Sequence, residues 1–269
     1  MKRVKLTVAY DGTGYSGWQI QPNAPTIEKV LDQAIMQVSG EELHVTGASR
    51  TDAGVHAMGN VAVFNTESTI PGKRWAYALN AKLPEDVVIR ESHEVSEHFH
   101  PRHCNTRKTY EYKILNTEFA IPQMRNYSWH VTHKLDPERM QKAADLLVGE
   151  HDFKSFCCVR TQVESTVRTI YSVEVTSEPV KGTELMVDDS GKKINQLLTI
   201  RIQGNGFLYN MVRIIAGTLM QVGRGHLEPA DVEKMLVAMD RCEAGQTAPP
   251  QGLTLMNIDY VDKDDAEVK

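Results

Sequence analysis

The sequence predicts an α+β fold built from two related halves, residues 1–103 and 104–269, and three patterns support this prediction. Segments such as 4–10 alternate apolar and polar residues, which is the period of a half-buried strand. Segments such as 27–38 space apolar residues three or four positions apart, as one face of a helix does. Strands and helices also follow a similar order in both halves, so each half resembles a split βαβ (ferredoxin-like) unit.

The first half begins with the predicted strand and continues through a loop rich in Gly, Pro and Asn. Thr26 is the expected N-cap of the helix at 27–38, and Glu28 suits the helix dipole in its first turn. A polar, glycine-containing loop around residue 52 lies between two predicted strands. The other elements predicted in this half are strands at 44–46, 60–65 and 87–91 and a short helix at 75–79.

The second half repeats this order of elements. Asp136 followed by Pro137 predicts a helix start, because Asp caps the first amides and Pro fits the first helical position. A long helix is predicted over 211–222, and another near Pro229. The segment 181–193 is interpreted as a hairpin tip or surface insertion. The predicted strands of this half are 109–115, 169–175, 197–203 and 253–260.

Composition limits the class of protein. Hydrophobic residues make up 41% and charged residues 24% of the 269, which is ordinary for a soluble globular chain. The charged start at 1–8 does not resemble a signal peptide, and no apolar run approaches the roughly 20 residues that span a bilayer. The four cysteines show no metal-ligand spacing, and the adjacent Cys157 and Cys158 are poorly placed to pair. We therefore expect a cytoplasmic protein with reduced thiols and no membrane partner.

The formal net charge of −5 neither supports nor excludes an RNA partner. Binding to a polyanion depends on local potential, and the charge is unevenly distributed along this chain. The segment 102–108 is basic, whereas 262–267 is mostly acidic.

Two segments resemble ligand-binding motifs, but the residues around each of them argue against a bound ligand. Residues 12–17 match the glycine pattern of a dinucleotide-binding turn, but that site requires a helix to start on those glycines. Pro22 and Pro25 prevent such a helix. A mobile glycine loop that lines a site is the preferred interpretation.

Four potential metal ligands cluster before the second half: His98, His100, His103 and Cys104. Imidazole and thiolate suit zinc, yet the short turns that fix tetrahedral geometry are missing from the pattern. We interpret the segment as a His-rich polar connector and predict no metal site.

Asp52 is the main candidate for a catalytic residue, although an Asp in a Gly-containing loop is most often a turn former. Arg50 lies two residues earlier, and a nearby guanidinium favours an ionised carboxylate. Arg also binds phosphate and can wedge into stacked bases. A surface ion pair without function is the alternative that these two residues alone leave open.

Residues 49–57, which read Ser-Arg-Thr-Asp-Ala-Gly-Val-His-Ala, resemble the signature of the TruA family of tRNA pseudouridine synthases. Further matches run in order across nearly the whole chain, which is far more specific than one motif. They are residues 10–19, 21–23, 26–28, 108–112, 149–156, 206–213 and 248–253.

The resemblance implies an isomerase without cofactor or metal that converts uridine to pseudouridine in the anticodon stem-loop of tRNA, around positions 38 to 40. It also implies a homodimer, a mixed sheet of the pseudouridine-synthase type and an active site in a cleft between the halves. Asp52 matches the catalytic aspartate, which attacks the ribose or removes a proton from it. Arg50 matches the residue associated with flipping the target nucleotide.

The resemblance also assigns residues in the second half. Tyr110 matches the active-site tyrosine, whose ring can stack on uracil and whose hydroxyl could help to remove the C5 proton. Arg213 matches the basic residue that pairs with the catalytic carboxylate. Phe207 and Leu208 would form the pocket wall and exclude water. The pair His151-Asp152 is interpreted as a helix-terminal turn without a chemical role.

One segment departs from the family pattern. At 100–105 the chain reads His-Pro-Arg-His-Cys-Asn where the family commonly has a run such as Asp-Ala-Arg-Phe-Ser-Ala; only Arg102 keeps its place. This departure puts substrate choice in question more than fold. Two other functions stay open: a non-catalytic RNA-binding protein or RNA chaperone on the same fold, and a hydrolase of N-glycosidic bonds.

Overall fold

A computed structural model describes residues 1–158, 163–180 and 195–261 of the chain. The described residues form five α-helices and ten strands, so the predicted α+β class is confirmed. The helices are α1 (Ile27–Ser39), α2 (Trp75–Asn80), α3 (Pro137–Asp145), α4 (Met211–Gly223) and α5 (Asp231–Ala238). The strands are β1 (Lys2–Tyr10), β2 (Thr46–Gly47), β3 (His56–Thr66), β4 (Val87–Val95), β5 (Thr106–Thr117), β6 (Trp129–Val131), β7 (Gly149–Asp152), β8 (Val167–Pro179), β9 (Asn195–Gly204) and β10 (Leu253–Tyr260). The predicted insertion at 181–193 lies outside the described residues.

The first compact unit comprises Met1–Lys108 and the chain from Thr254 onward. Its strands lie in the order β4-β1-β3-β10, with β1 antiparallel to both β3 and β4. Strand β10 pairs with β3 in parallel, with Thr254 opposite His56. The sheet is therefore mixed, as predicted, and the final strand lies beside the residues that follow Asp52.

Helix α1 begins where the sequence places it, with Thr26 at the N-cap position, but its first turn is satisfied in another way. The Thr26 side chain makes no capping bond, and its hydroxyl is buried without a hydrogen-bond partner among the described residues. The amides of Ile27 and Glu28 instead donate to the carbonyls of Gly17 and Trp18, at 3.2 and 3.0 Å. The Gly17–Trp18 turn therefore takes over part of the cap's role.

Glu28 anchors this turn as well. Its carboxylate accepts hydrogen bonds from Trp18 Nε1 at 3.2 Å and from the Ile20 amide at 3.0 Å. Trp18 itself is fully buried. The residue predicted to complement the helix dipole thus also ties α1 to the loop that precedes it.

The second compact unit, Thr109–Leu253, orders its strands β5-β9-β8-β7, with β6 parallel to β5. Asp136 caps α3 as predicted, since its carboxylate accepts from the amides of Glu138 and Arg139. Helix α4 is buried along almost its whole length and packs against α3. A Cβ added to Gly223 would lie 2.7 Å from Met140 Sδ, which shows how closely the two helices approach.

Three short elements differ from the predictions. The strand predicted at 44–46 is only Thr46–Gly47, and β6 and β7 were not predicted. His151 and Asp152 lie in β7, paired with Arg168 and Val167 of β8, so their assignment to a helix-terminal turn is wrong. These segments, of two to four residues, are too short to show a hydrophobic period, and pairing with a neighbouring strand makes them extended.

The compact units and the predicted halves divide the chain at different places. The predicted halves meet at 103/104, whereas the first unit continues to Lys108 and includes the strand β10. Pairing with β3 explains why the end of the chain is counted with its beginning. No helix of the described residues is long and apolar enough to cross a membrane.

Candidate active site

The segment that carries Asp52, residues 49–55, has no regular secondary structure, and burial alternates along residues 49–52. Ser49 and Thr51 are buried, Arg50 is exposed, and Asp52 is partly exposed. Thr51 Oγ1 lies 2.7 Å from the buried Tyr10 hydroxyl. The two residues predicted to carry chemistry are therefore the accessible ones, and the two buried residues anchor the segment.

The glycines at 12–17 pack against this segment. A Cβ on Gly12 would lie 2.1 Å from the Val55 carbonyl oxygen, and one on Gly17 would lie 2.7 Å from that of Thr51. Gly17 also has a φ of +93°, which favours glycine. The glycine pattern therefore serves close backbone contact, and the interpretation as a mobile loop gives way to that of a packed one.

Hydrogen bonds join the same two segments. The Trp18 amide donates to the Thr51 carbonyl at 3.1 Å, and the Gly54 amide donates to that of Tyr15 at 3.2 Å. The Gly12 amide donates to Nδ1 of the buried His56 at 3.0 Å. The Asp52 segment is thus bonded on both sides of the catalytic candidate.

We use the name cationic row for three cations: Arg50, and Arg102 and Lys108, whose side chains bond to the backbone just before Arg50. Arg102 Nε donates to the Gly47 carbonyl at 2.7 Å, and Lys108 Nζ donates to the next carbonyl, that of Ala48, at 3.1 Å. Burial, and then the positive charge of Arg50, lower the pKa of Arg102. An anion beside the row would relieve this repulsion.

The histidines considered as metal ligands face each other instead of a common point. The rings of His100 and His103 stack with centroids 3.8 Å apart and planes inclined by 16°. Burial, and then the neighbouring His103, lower the pKa of His100. Within 1–158, 163–180 and 195–261, no group of three or more His, Cys, Asp or Glu side chains is arranged to hold a metal ion.

In the second unit, Tyr110 lies on β5 and is buried against Phe207. The two rings meet edge to face, with centroids 5.3 Å apart and planes inclined by 84°. Phe207 is partly exposed, while Leu208 is buried. A Cβ on Gly204 would lie 3.1 Å from the Phe207 ring, so glycine leaves room for that ring. The structure therefore brings the predicted tyrosine together with one of the two predicted wall residues.

Arg213 lies in the first turn of α4, and two hydrogen bonds hold its guanidinium group. Its Nε donates to the Ala248 carbonyl at 2.8 Å, and its Nη1 donates to Asn210 Oδ1 at 2.9 Å. The Ala248 amide donates in return to the Arg213 carbonyl at 3.1 Å. Such bonds fix the direction of a guanidinium, so Arg213 is not the simple solvated residue that its helix position alone would indicate.

Tyr112 was not predicted as a site residue, although it lies two positions from Tyr110 on the same face of β5. Its hydroxyl donates to the Pro249 carbonyl at 2.8 Å, and a Cβ on Gly252 would lie 2.7 Å from its ring. Burial raises the pKa of Tyr112, and the positive charge of Arg213 partly offsets this rise. The period-2 spacing of the two tyrosines is the signal that could have identified it.

The chain matches a family model described as tRNA pseudouridine synthase over residues 6–103 and 143–261. A tRNA pseudouridine synthase A of Ruminiclostridium cellulolyticum is 48% identical over 260 residues, which cover 97% of this chain and all of the relative. Proteins of Thermoanaerobacter sp., with the same name, and of Clostridium perfringens, named tRNA pseudouridine synthase A 2, are 46% and 45% identical over the same coverage.

The fold and the matched segments therefore define a pseudouridine synthase, an isomerase that converts uridine to pseudouridine. Within that class, the chain belongs to the tRNA pseudouridine synthase A family, which is the TruA family.

Proposed function

We propose that this enzyme isomerises uridines in the anticodon stem-loop of tRNA, around positions 38 to 40, with Asp52 as the catalytic residue. The observation that carries the proposal is the presentation of Asp52. Asp52 is partly exposed and Arg50 is exposed, while the residues immediately before them, Thr51 and Ser49, are buried and hydrogen-bonded. A reactive carboxylate requires such a fixed position at an accessible surface.

In the proposed reaction, Asp52 either attacks C1′ of the target ribose or removes a ribose proton, and the N-glycosidic bond breaks. The freed uracil turns and forms a new bond to C1′ through its C5 atom, which breaks the Asp52–C1′ bond on the first route or is accompanied by return of the proton from Asp52 to the ribose on the second. The proton on C5 then leaves, and N1 gains one. Substrate and product have the same atoms and oxidation state, so the proposed reaction requires no cofactor.

The other residues have complementary roles in the proposal. Arg50 takes the place of the target nucleotide in the stem, because the reacting atoms are inaccessible in a stacked helix. Tyr110 stacks on the uracil or assists in removing the C5 proton. Arg213 pairs with the catalytic carboxylate, and its two tethers support that role. Phe207 and Leu208 exclude water, which would otherwise hydrolyse the broken glycosidic bond.

The cationic row supports binding of tRNA by a chain of net charge −5. Local potential, not net charge, attracts a polyanion, and Arg102 and Lys108 bond to the backbone at Gly47 and Ala48, a few residues before Arg50 and Asp52. We further propose that the enzyme acts as a homodimer in the cytoplasm, which would bring the cationic rows of two copies to one tRNA. Analytical ultracentrifugation with and without tRNA tests the dimer, and a monomer in both states would contradict it.

The decisive experiment incubates the purified enzyme with an unmodified tRNA transcript and maps pseudouridine chemically. We expect product at positions 38 to 40 with the wild type and a loss of roughly 10⁴-fold or more in rate with Asp52→Ala. Asp259→Asn, at an exposed carboxylate of the same unit, is the control and should keep full activity. Equal rates for wild type and Asp52→Ala would refute the role of Asp52.

The same reaction separates the other two functions. Binding of tRNA without turnover by the wild type would identify a non-catalytic RNA-binding protein or chaperone. Release of free uracil, with abasic sites in the RNA, would identify a hydrolase of N-glycosidic bonds.

A further inference from the structure

Beneath the Asp52 segment lies a group of buried polar side chains that the proposed reaction does not use: Tyr10, Thr51 and Asn60. We propose that this buried polar group positions Asp52 for reaction and thereby determines the turnover rate, while RNA binding, which Arg102 and Lys108 support independently of it, stays nearly unchanged. The inference rests on the proposed role of Asp52.

Asn60 is the centre of the group. It lies on β3, and none of its surface is exposed. Its amide nitrogen donates to the Ser49 carbonyl at 2.9 Å and to the Tyr10 hydroxyl at 3.3 Å. Its amide oxygen accepts from the Val61 amide at 2.9 Å. One side chain therefore links the central strand of the sheet to the residue immediately before Arg50.

Tyr10 extends the connection to the residue immediately before Asp52. Its hydroxyl oxygen accepts from Asn60 and lies 2.7 Å from Thr51 Oγ1, so the two hydroxyls share a hydrogen bond in which either can donate. Tyr10, at the end of β1, is 5% exposed, and Thr51 is 7% exposed. Water therefore has little access to these bonds, and a buried polar group that loses its partner is costly.

The alternation of buried and accessible residues explains how these hydrogen bonds can fix the positions of the reactive residues. Burial alternates along these four residues, with Ser49 and Thr51 buried, Arg50 exposed and Asp52 partly exposed. Fixing the backbone at Ser49 and the side chain of Thr51 toward the interior therefore holds Arg50 and Asp52 toward the surface. A displacement of about 1 Å in a reacting group can lower a rate about 100-fold.

Loss of one hydroxyl tests this inference with little change in volume. Thr51→Val removes the hydroxyl, whereas Thr51→Ser keeps it, and Tyr10→Phe removes the partner hydroxyl. We expect kcat for pseudouridine formation to fall about 10- to 100-fold with Thr51→Val and Tyr10→Phe, to stay within about twofold with Thr51→Ser, and Kd for tRNA to change by less than about twofold in all three.

Matched controls separate positioning from general stability. Thr218 is a buried threonine with two hydrogen bonds in the second unit, and Asn116 is a buried asparagine whose amide bonds two backbone carbonyls. Thr218→Val and Asn116→Leu should lower the melting temperature yet keep kcat per folded molecule. Asn60→Leu should lower both. A kcat that falls equally in test and control variants would show a merely structural role and overturn the proposal.

Amide hydrogen exchange provides a readout that does not depend on catalysis. Thr51→Val should speed exchange at residues 51–55 and leave β4 unchanged. Unchanged exchange together with unchanged kcat, while Asp52→Ala is inactive, would overturn the positioning role and leave the proposed function intact. A fully active Asp52→Ala would instead overturn the proposed function, and the positioning of Asp52 with it.

Discussion

The Asp52 segment and the Tyr110–Arg213 region achieve fixed side-chain positions by different means. Asp52 and Arg50 lie on a segment without regular secondary structure, which is held by the buried polar group and by contacts with Gly12 and Gly17. Tyr110 lies on a strand and Arg213 on the first turn of a helix, where the backbone geometry is already regular. The first region depends on hydrogen bonds and close backbone contacts between irregular segments, whereas the second carries its side chains on regular elements.

This difference has an energetic consequence. An edge-to-face aromatic pair such as Tyr110–Phe207 contributes about 0.5–1.5 kcal/mol beyond its burial and tolerates small shifts. A buried hydrogen bond contributes about 1 kcal/mol when made, but leaving its partner unpaired costs about 1–3 kcal/mol. We therefore expect the Asp52 region to fail abruptly on small changes and the second region to weaken gradually.

The largest effect in this comparison is expected from Gly12→Ala. The added Cβ would lie 2.1 Å from the Val55 carbonyl oxygen, so one of the two backbone segments must move. We expect a loss of about 100-fold in kcat and a fall of about 1–3 kcal/mol in the free energy of unfolding. Activity assays and thermal denaturation measure both.

Gly14→Ala is the matched control for that substitution. A Cβ at Gly14 meets nothing within 4 Å, although it lies in the same short turn. Gly14→Ala should therefore keep wild-type activity and stability. Equal effects at the two glycines would show that contact with the Asp52 segment is not what glycine provides at position 12.

A smaller effect is expected from Arg213→Lys in the second region. Lysine keeps the charge but cannot reproduce both tethers, to Ala248 and to Asn210. We expect kcat to fall about tenfold, in keeping with the loss of one charge-assisted hydrogen bond. Arg224→Lys, at the opposite end of the same helix, should have no effect on kcat. A loss as abrupt as that of Gly12→Ala would contradict the contrast between the two regions.

The smallest effect is expected from Arg102→Met in the cationic row. Removing one phosphate contact should weaken tRNA binding about threefold at moderate salt and reduce the slope of log K against log salt by about 1. Titrations at several salt concentrations measure this slope. Arg74→Met, at an exposed arginine that lies over the Tyr77 ring, is the control and should leave the slope unchanged. An unchanged slope with Arg102→Met would remove Arg102 from the RNA-binding surface.

Much of the fold was predictable because the relevant signals are local. The periods of β1 and α1, the Asp136–Pro137 start of α3 and the apolar face of α4 all appear in the predicted places. Of the short strands, β2 is shorter than predicted, and β6 and β7 were not predicted. Their extended backbones depend on a neighbouring strand, and a period cannot be read from two to four residues.

The Asp52 segment separates what the sequence determined from what only the tertiary structure determined. The sequence alone determined that Asp52 and Arg50 lie in a polar, glycine-containing loop and, by resemblance, to which family the chain belongs. Only the tertiary structure revealed that Gly12 and Gly17 pack against that loop. It also revealed that the buried Tyr10 and Asn60 form hydrogen bonds with it. Hydrogen bonds between residues up to 50 positions apart leave no periodic trace in a sequence, because they depend on which surfaces the folded chain brings together.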